Sequence, residues 1–277
     1  FFCSYCIVPY TRGPARSRAL DDVLREAEEL LARGYRELVL SGVNITTYCH
    51  GGVDLAGLLE KLLALGPGFR LRLGSAEPGP VLPRVVDVMA SSSQLCRFLH
   101  LPLQYGEDGL LRLMRRHYSV AEYEALVMPA MERLPGLCLG ADVIVGFPGE
   151  TAASFATTRA FIERMPFSLL HVFVYSPRQG TDAAKMPGRP RKALAEERSA
   201  DLIALGEAKA RVFAEQQLGK TLEVLIEDEQ PQPCGWSDNY LQVTVAEHDA
   251  PIAVNTLQKV LITAAGDKRQ LTGRAVP

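Results

Sequence analysis

The 277-residue sequence predicts an α/β protein built on parallel strands, followed by a small all-β module. Three observations carry that expectation. From about residue 18 to 175, apolar runs of strand length alternate with helical patterns, as parallel βαβ units require. Residues 194–217 then form one long helical pattern rich in Ala, Glu and Arg. After Leu218-Gly219 the texture changes to short β-like runs broken by Pro, Gly, Asp and Asn, the profile of a small antiparallel barrel or sandwich. The domain boundary is therefore placed near 217.

The elements follow in order. Leu20, Val23, Leu24, Ala27, Leu30 and Leu31 recur at amphipathic-helix spacing, and Gly34 closes that helix. A strand follows at Glu37–Val43, and Leu55, Leu58, Leu59, Leu62 and Leu63 make a second helix ended by Gly66-Pro67. A strand at Arg70–Ser75 precedes a helix near 81–90. A strand at Arg97–Leu101 leads to a helix near 107–115. Ser119 and Glu122 have the spacing of a capping box for a helix to about Leu134, which Pro129 is expected to bend or shorten. The strand Gly140–Val145, a helix near 150–164 and the strand Leu170–Tyr175 complete five strands. In the tail, β-like runs lie at Leu222–Ile226, Tyr240–Val245 and Lys259–Thr263.

Composition excludes several classes. Hydrophobic residues are 47% and charged residues 22%, so the chain is neither disordered nor fibrous, and its length allows a sizeable core. The net charge of −2 draws it as a whole to neither nucleic acid nor anionic membrane. The longest uncharged stretch, Leu38–Val53, holds Asn, Thr and His and is too short to span a bilayer. There is no signal-peptide pattern, and a cytoplasmic location is expected. Six cysteines, four of them scattered singly, do not form a secreted disulfide framework.

The candidate site lies where parallel strands end. Those ends run into Ser41-Gly42-Val43-Asn44, Gly74-Ser75-Ala76-Glu77-Pro78, Pro102–Gly106, Gly146–Glu150 and Tyr175–Arg178, all rich in Gly, Pro and polar residues. Loops there need turn residues in any case, but five such ends on one rim point to a ligand-binding mouth. The chain opens Phe1-Phe2-Cys3-Ser4-Tyr5-Cys6. A Cys-x-x-Cys pair is half a zinc site, a redox dithiol or part of an iron–sulfur ligand set. No second Cys or His pair follows at zinc spacing, and Ile7-Val8-Pro9-Tyr10 is a poor start for the helix that a thioredoxin-like pair opens.

The stretch Cys3–Gly13 with Ser17-Arg18 resembles the cluster loop of the radical S-adenosylmethionine (SAM) methylthiotransferases, whose signature is C-x3-C-x2-C. Cys3 and Cys6 match its second and third cysteines. The resemblance continues through Leu40–Asn44, Leu99–Gln104, Asp142–Thr151 and Tyr175–Thr181, and so covers residues 1 to about 217. The tail resembles that family's TRAM domain, with Ser237-Asp238-Asn239-Tyr240 as the matching stretch. Among the branches, Leu170–Arg178 and Ala183–Pro187 are most like those acting on N(6)-threonylcarbamoyladenosine at position 37 of tRNA. The sister branch on N(6)-isopentenyladenosine and a non-catalytic tRNA-binding module are the alternatives.

The resemblance implies a radical SAM partial (β/α)6 TIM-like barrel with its first strand missing, then a TRAM-like RNA-binding β-barrel over 218–277. It implies a [4Fe-4S] cluster held by Cys3, Cys6 and a cysteine four residues before Cys3, with SAM as cofactor. Cluster electrons would break a carbon–sulfur bond of SAM to give a 5′-deoxyadenosyl radical. Tyr5 is expected against the adenine, and Gly42 and Asn44 at the methionine moiety. Ser75, Glu77, Gln104 and Asp142 are expected to reach into the mouth; Glu77 and Asp142 are equally consistent with turns or caps, and His100 with a core histidine. Arg115-Arg116 and Tyr118 also sit in a family-like position. Tyr105 stands where relatives carry a small Ser and is expected to narrow the mouth.

For tRNA, the anticodon loop is the implied partner, and two basic segments suit a phosphate backbone. One holds Arg12, Arg16 and Arg18 with no acid before them, and the other Arg178, Lys185, Arg189, Arg191 and Lys192 against Asp182 alone. The tail carries five Lys/Arg against eight Asp/Glu and must use a local patch or its shape. The family's N-terminal methylthiotransferase domain, with a second [4Fe-4S] cluster, lies outside this sequence. The expectation is accordingly a fragment, inactive alone, of a longer monomeric enzyme that takes electrons from a flavodoxin or ferredoxin.

Overall fold

The computed structural model describes residues 2–229, 232–267 and 269–276; Phe1, which opens the sequence, lies outside them. The helices and strands run α1 Val8–Arg12, α2 Leu20–Ala32, β1 Glu37–Leu40, β2 Cys49–His50, β3 Val53–Asp54, α3 Leu55–Leu63, β4 Arg70–Leu73, α4 Leu82–Ser91 and β5 Phe98–His100. Next come α5 Asp108–Leu113, α6 Val120–Arg133, β6 Cys138–Val145, α7 Ala152–Arg164, β7 Leu169–Val174 and the long α8 Lys192–Glu215. The C-terminal part comprises β8 Thr221–Asp228, β9 Cys234–Ser237, β10 Gln242–Glu247, β11 Leu257–Ala265 and β12 Gln270–Ala275.

β1 pairs with β4 and β5-β6-β7 pair in order, every ladder parallel. Single bridges, Leu71 to Leu95 and Ser75 to His100, link β4 to β5, so the five strands make one open half-barrel. The alternation of strand side chains divides its two faces. Leu71, Leu73, Leu99, Leu101, Leu139, Ala141, Val143 and Val145 are buried under the helices. The opposite, concave face carries Glu37, Arg70, Arg72, His100, Asp142 and His171. On that face the chain departs from an apolar pattern: Arg70 and Arg72 meet the small barrel instead of a helix, and His171 is exposed.

Three local expectations are corrected. Helix α6 runs through Pro129 to Arg133, so the proline does not shorten it. Both Pro129 and Ala125, whose carbonyl loses its partner, are exposed, so the group that proline leaves free is open to solvent. The Ser119–Glu122 capping box is present as read. Ile7–Tyr10 does begin a helix, α1, because Pro9 occupies its first turn, where the missing N–H costs nothing. The C-terminal strands form a closed barrel in the order β10-β12-β11-β8-β9. It is not wholly antiparallel: β10 and β12 pair in parallel and close it. No helix among the described residues is long and apolar enough to cross a membrane.

The small barrel seats on the floor of the half-barrel. Phe98 and Cys138 of the floor share one apolar cluster with Phe213 of α8 and Leu222, Val224, Val243 and Ile262 of the barrel. Around it Glu37 accepts from Arg70 Nε at 2.6 Å and Arg72 Nε at 2.7 Å. The terminal guanidinium nitrogens reach carbonyls of the barrel, Arg70 on Glu223 and Trp236 and Arg72 on Ser237 and Asp238, at 2.8–3.1 Å, and Arg72 Nη2 also donates to Glu37 at 3.0 Å. The Ser237–Tyr240 stretch is the turn that docks. Ser237 and Asn239 are buried, and Asn239 donates to Gln217 Oε1 at the end of α8.

Candidate functional site

The opening loop lies on the rim formed by the C-terminal ends of the strands. Cys6 N–H donates to Cys3 C=O at 3.1 Å, closing a turn that carries both thiols, each free and half-buried. Ser4 pins this turn to the end of α5: its N–H donates to Met114 C=O at 3.0 Å and its hydroxyl to Leu113 C=O at 2.7 Å. From the other side Ala183 N–H donates to Ser4 C=O at 2.9 Å. Tyr5 stands edge-on to Phe147 at 6.3 Å, and burial raises its phenol well above the ordinary range. Contacts within the chain thus fix the Cys-x-x-Cys turn from both sides.

One buried arginine organises the site. Arg116 Nη1 donates toward Cys3 Sγ at 3.3 Å, Nη2 pairs with Glu77, and Nε donates to Tyr118 OH at 3.1 Å. The Tyr118 hydroxyl in turn donates to the carbonyls of Pro102 and Leu103 after β5. Burial raises the Tyr118 phenol, although the Arg116 charge opposes the shift. A positive charge is thus fixed against a thiol by partners from three separate loops. The Arg115-Arg116 pair and Tyr118 drew notice in the sequence, but without a role. The signal missing there was the distance: Arg116 and Cys3 are 113 residues apart in sequence.

The other expected residues fall at several levels. Gly42 and Ser75 are exposed on the rim, and Asn44 is half-buried with its side-chain oxygen accepting from Thr46 at 2.6 Å. Gln104 is buried with φ of 65°, an unusual conformation for a residue with a side chain. Its backbone completes the rim, as Gln104 N–H donates to Asp142 C=O and its carbonyl accepts from Ile144 N–H. Glu77 is taken by Arg116 rather than capping a helix. Asp142 sits lower, within β6, between His100 Nε2 at 3.1 Å and His171 Nδ1 at 3.4 Å. Burial would raise its pKa, but hydrogen bonds and charge from the two histidines hold it well below the usual carboxylate range.

The expectation that Tyr105 narrows the mouth is corrected. Its side chain is fully buried, with the hydroxyl 3.4 Å from Ser154 Oγ on α7, and it packs with Leu110, Met114 and Phe147. The next residue, Gly106, lets the chain pack closely on α7, since a Cβ there would press within 3.0 Å of Thr158 Cα. A larger residue was accommodated by turning it into the core.

The basic segments border the same loop. Gly180 lies beside Ile7, so the 178–183 stretch packs onto the cysteine turn. Arg12, Arg16, Arg18, Arg178, Arg189, Arg191 and Lys192 are all exposed. Three of them are partly engaged: Arg18 pairs with Glu26, Lys192 with Glu196 at 3.5 Å, and Arg189 donates to Tyr175 C=O at 3.2 Å.

Comparison with known proteins places this geometry. The model of the radical SAM superfamily matches residues 1–162. The chain is 38% identical over 229 residues to the tRNA-2-methylthio-N(6)-dimethylallyladenosine synthase of Moorella thermoacetica, covering 82% of this chain and 52% of that protein. It is 36% identical over 274 residues to the threonylcarbamoyladenosine tRNA methylthiotransferase MtaB of Bacillus subtilis, covering 96% of this chain and 60% of that one. The chain therefore spans somewhat over half the length of these relatives. Among solved structures, coproporphyrinogen III oxidase (HemN) of Escherichia coli, a radical SAM enzyme, aligns with a TM-score of 0.55 at 18% identity, over 82% of this chain and 57% of that one. The radical SAM methyltransferase TsrM of Kitasatospora setae gives 0.54 at 18% identity, over 66% of this chain and 36% of that one. At such identity these two share the fold.

Proposed function

The chain belongs to the radical SAM superfamily, and on that footing we propose that it is the SAM-cleaving core of a tRNA methylthiotransferase acting on N(6)-threonylcarbamoyladenosine at position 37. The observation that carries this reading is the pinned Cys3–Cys6 turn with Arg116 against Cys3, set on the rim of a parallel half-barrel. Two free thiols in one rigid turn beside a fixed cation suit the anionic ligand set of an iron–sulfur cluster. Cys3 and Cys6 would supply two ligands, and the family's signature puts a third four residues before Cys3. When bound, the [4Fe-4S] cluster and SAM supply one-electron cleavage of a carbon–sulfur bond.

The chain's own residues bind, orient and shield. Arg116, held by Glu77 and Tyr118, balances thiolate charge at Cys3 and fixes the turn. Tyr5, backed by the buried Phe147, would pack against adenine. Gly42, Asn44 and Ser75 line the mouth for the methionine moiety, with the Gln104 backbone beneath them. Asp142 faces the same cavity from a lower layer, with one oxygen already shared by two histidines. Arg12, Arg16, Arg18, Arg178, Arg189, Arg191 and Lys192 would meet the phosphates of the anticodon loop, and residues 218–277 form a TRAM-like module behind them. A flavodoxin or ferredoxin would supply electrons, and the second cluster would come from the N-terminal domain of the longer relatives.

Mass spectrometry of tRNA nucleosides tests the substrate. A strain lacking the gene should lose 2-methylthio-N(6)-threonylcarbamoyladenosine and regain it on complementation. Loss of the isopentenyladenosine derivative instead would move the assignment to the sister branch. No change in either nucleoside would leave a tRNA-binding module without this catalysis.

A further inference from the structure

The concave face holds a cluster that the proposed SAM chemistry does not use. His100 ends β5, Asp142 lies within β6 and His171 within β7, so three adjacent strands contribute one side chain each. Asp142 and His171 are register partners across the β6–β7 ladder, which puts both on the same face. His100 is paired with Gly140, two residues earlier on β6. It can lean over to Asp142 because residue 140 has no side chain: a Cβ there would fall 2.7 Å from His100 Nδ1. Glycine at 140 is thus what lets the buried His100 ring lie across β6 and join the other two. The His100 and His171 rings lie 5.3 Å apart at 33°, so the cluster is packed as well as hydrogen-bonded.

We propose that His100, Asp142 and His171 bind one divalent first-row cation of the zinc type, at a site separate from the Cys3–Cys6 loop. The donor atoms lie within 4.8 Å of one another, with Asp142 Oδ1 at 3.1 Å from His100 Nε2 and 3.4 Å from His171 Nδ1. A metal at about 2.0–2.1 Å from each donor needs neighbouring donors roughly 3 Å apart. The two pairs that include Asp142 have that spacing, and the two imidazole nitrogens, within 4.8 Å of each other, would close on the ion as it binds. Two imidazoles and one carboxylate are a set that favours such ions over calcium or magnesium, and it leaves coordination positions free. His100 is buried, whereas the His171 side chain is half exposed, so the free positions open toward the cavity. Val39 and Phe173, about half exposed, face that cavity from β1 and β7. A water or an oxygen or nitrogen donor of a bound ligand would complete the shell.

Cobalt(II) titration of the full chain tests the site. Cys3→Ser/Cys6→Ser removes the paired thiols of the rim loop and serves as the parent. It should take up one equivalent of Co2+, with visible ligand-field bands and without a sulfur-to-cobalt charge-transfer band. His171→Ala should weaken binding at least about tenfold, with an unchanged far-ultraviolet circular dichroism spectrum. His171→Cys should restore binding and add the near-ultraviolet charge-transfer band, which reads the ligand directly. The proposal is overturned if the parent shows no saturable uptake, if His171→Ala binds Co2+ as tightly as the parent, or if the cysteine variant binds without that band. None of these outcomes bears on the methylthiotransferase reading, whose test is the nucleoside analysis.

Discussion

The floor and the rim of the half-barrel are each built on a carboxylate–arginine network, and they end differently. On the floor, the donors of Arg70 and Arg72 finish on Glu37 or on four carbonyls of the small barrel. At the rim, Arg116 uses one donor group on Glu77 and one on Tyr118, and turns the third toward a thiol that bonds it only weakly. A network closed on backbone carbonyls holds two bodies together. One that keeps a charge against a reactive sulfur is set up to receive something else. The comparison separates an arginine cluster that joins two bodies from one that we propose serves the cluster loop, although both are buried and both look alike in the sequence.

Breaking the floor should have the largest effect. Glu37→Ala leaves Arg70 and Arg72 buried without their anion, and a loss of about 3–5 kcal/mol is expected, read as a lower urea midpoint. If Glu37→Ala unfolds no more easily than the parent, the floor network does not hold the two bodies.

At the rim the expected change is in metal retention more than in stability. Arg116→Met should lower iron–sulfur cluster retention roughly 10–100-fold, the range for outer-shell partners, and lower the urea midpoint less than Glu37→Ala does, because the Glu77 left behind keeps more solvent than Arg70 and Arg72 have. The check is iron and sulfide content after anaerobic reconstitution of the longest available form. A large fall in stability with unchanged iron would reverse the roles given to the two networks.

A smaller effect is expected from the basic border. Replacing Arg12, Arg16 and Arg18 by Ala together should weaken tRNA binding and flatten its dependence on log salt by about 2–3, at nearly one unit per phosphate contact. Fluorescence anisotropy at several salt concentrations measures this, and an unchanged slope would remove that segment from the interface.

The acid limb of stability sharpens the comparison last. Burial would raise Glu37, but Arg72 and Arg70 hold it below its ordinary pKa, and the histidines do the same for Asp142. A lowered folded-state pKa means that the unfolded chain binds more protons, so stability rises with pH through that region. The contribution is complete above about pH 5 and fades as pH falls through and below about 4, near the unfolded carboxylate values. Asp142→Asn should flatten this limb more than Glu37→Gln does, because Asp142 is held further below the carboxylate range, whereas burial offsets much of what Arg72 and Arg70 do at Glu37.

Much of the architecture was legible in the residues. Period-2 and period-3.6 patterns located the five strands and their helices, because burial on one face imposes those periods locally. The short strands β9 and β12 escaped notice: Cys234-Gly235-Trp236-Ser237 and Gln270–Ala275 contain glycine and polar residues on a closed barrel wall. Gly235 is there because a Cβ would collide with Leu225 C=O at 1.7 Å, a constraint that only the neighbouring strand imposes.

The sequence by itself determined the fold class, the superfamily motifs and the cysteine turn, since these rest on local periodicity and on contiguous residues. Tertiary structure alone decided which charges meet. It joined Arg116 to Cys3 and Glu77, turned Tyr105 away from the mouth, and set His100 and His171 on either side of Asp142. Such contacts join residues tens to more than a hundred positions apart, and side-chain direction depends on strand register and on what a neighbouring glycine leaves open. Neither of these is written in any local pattern.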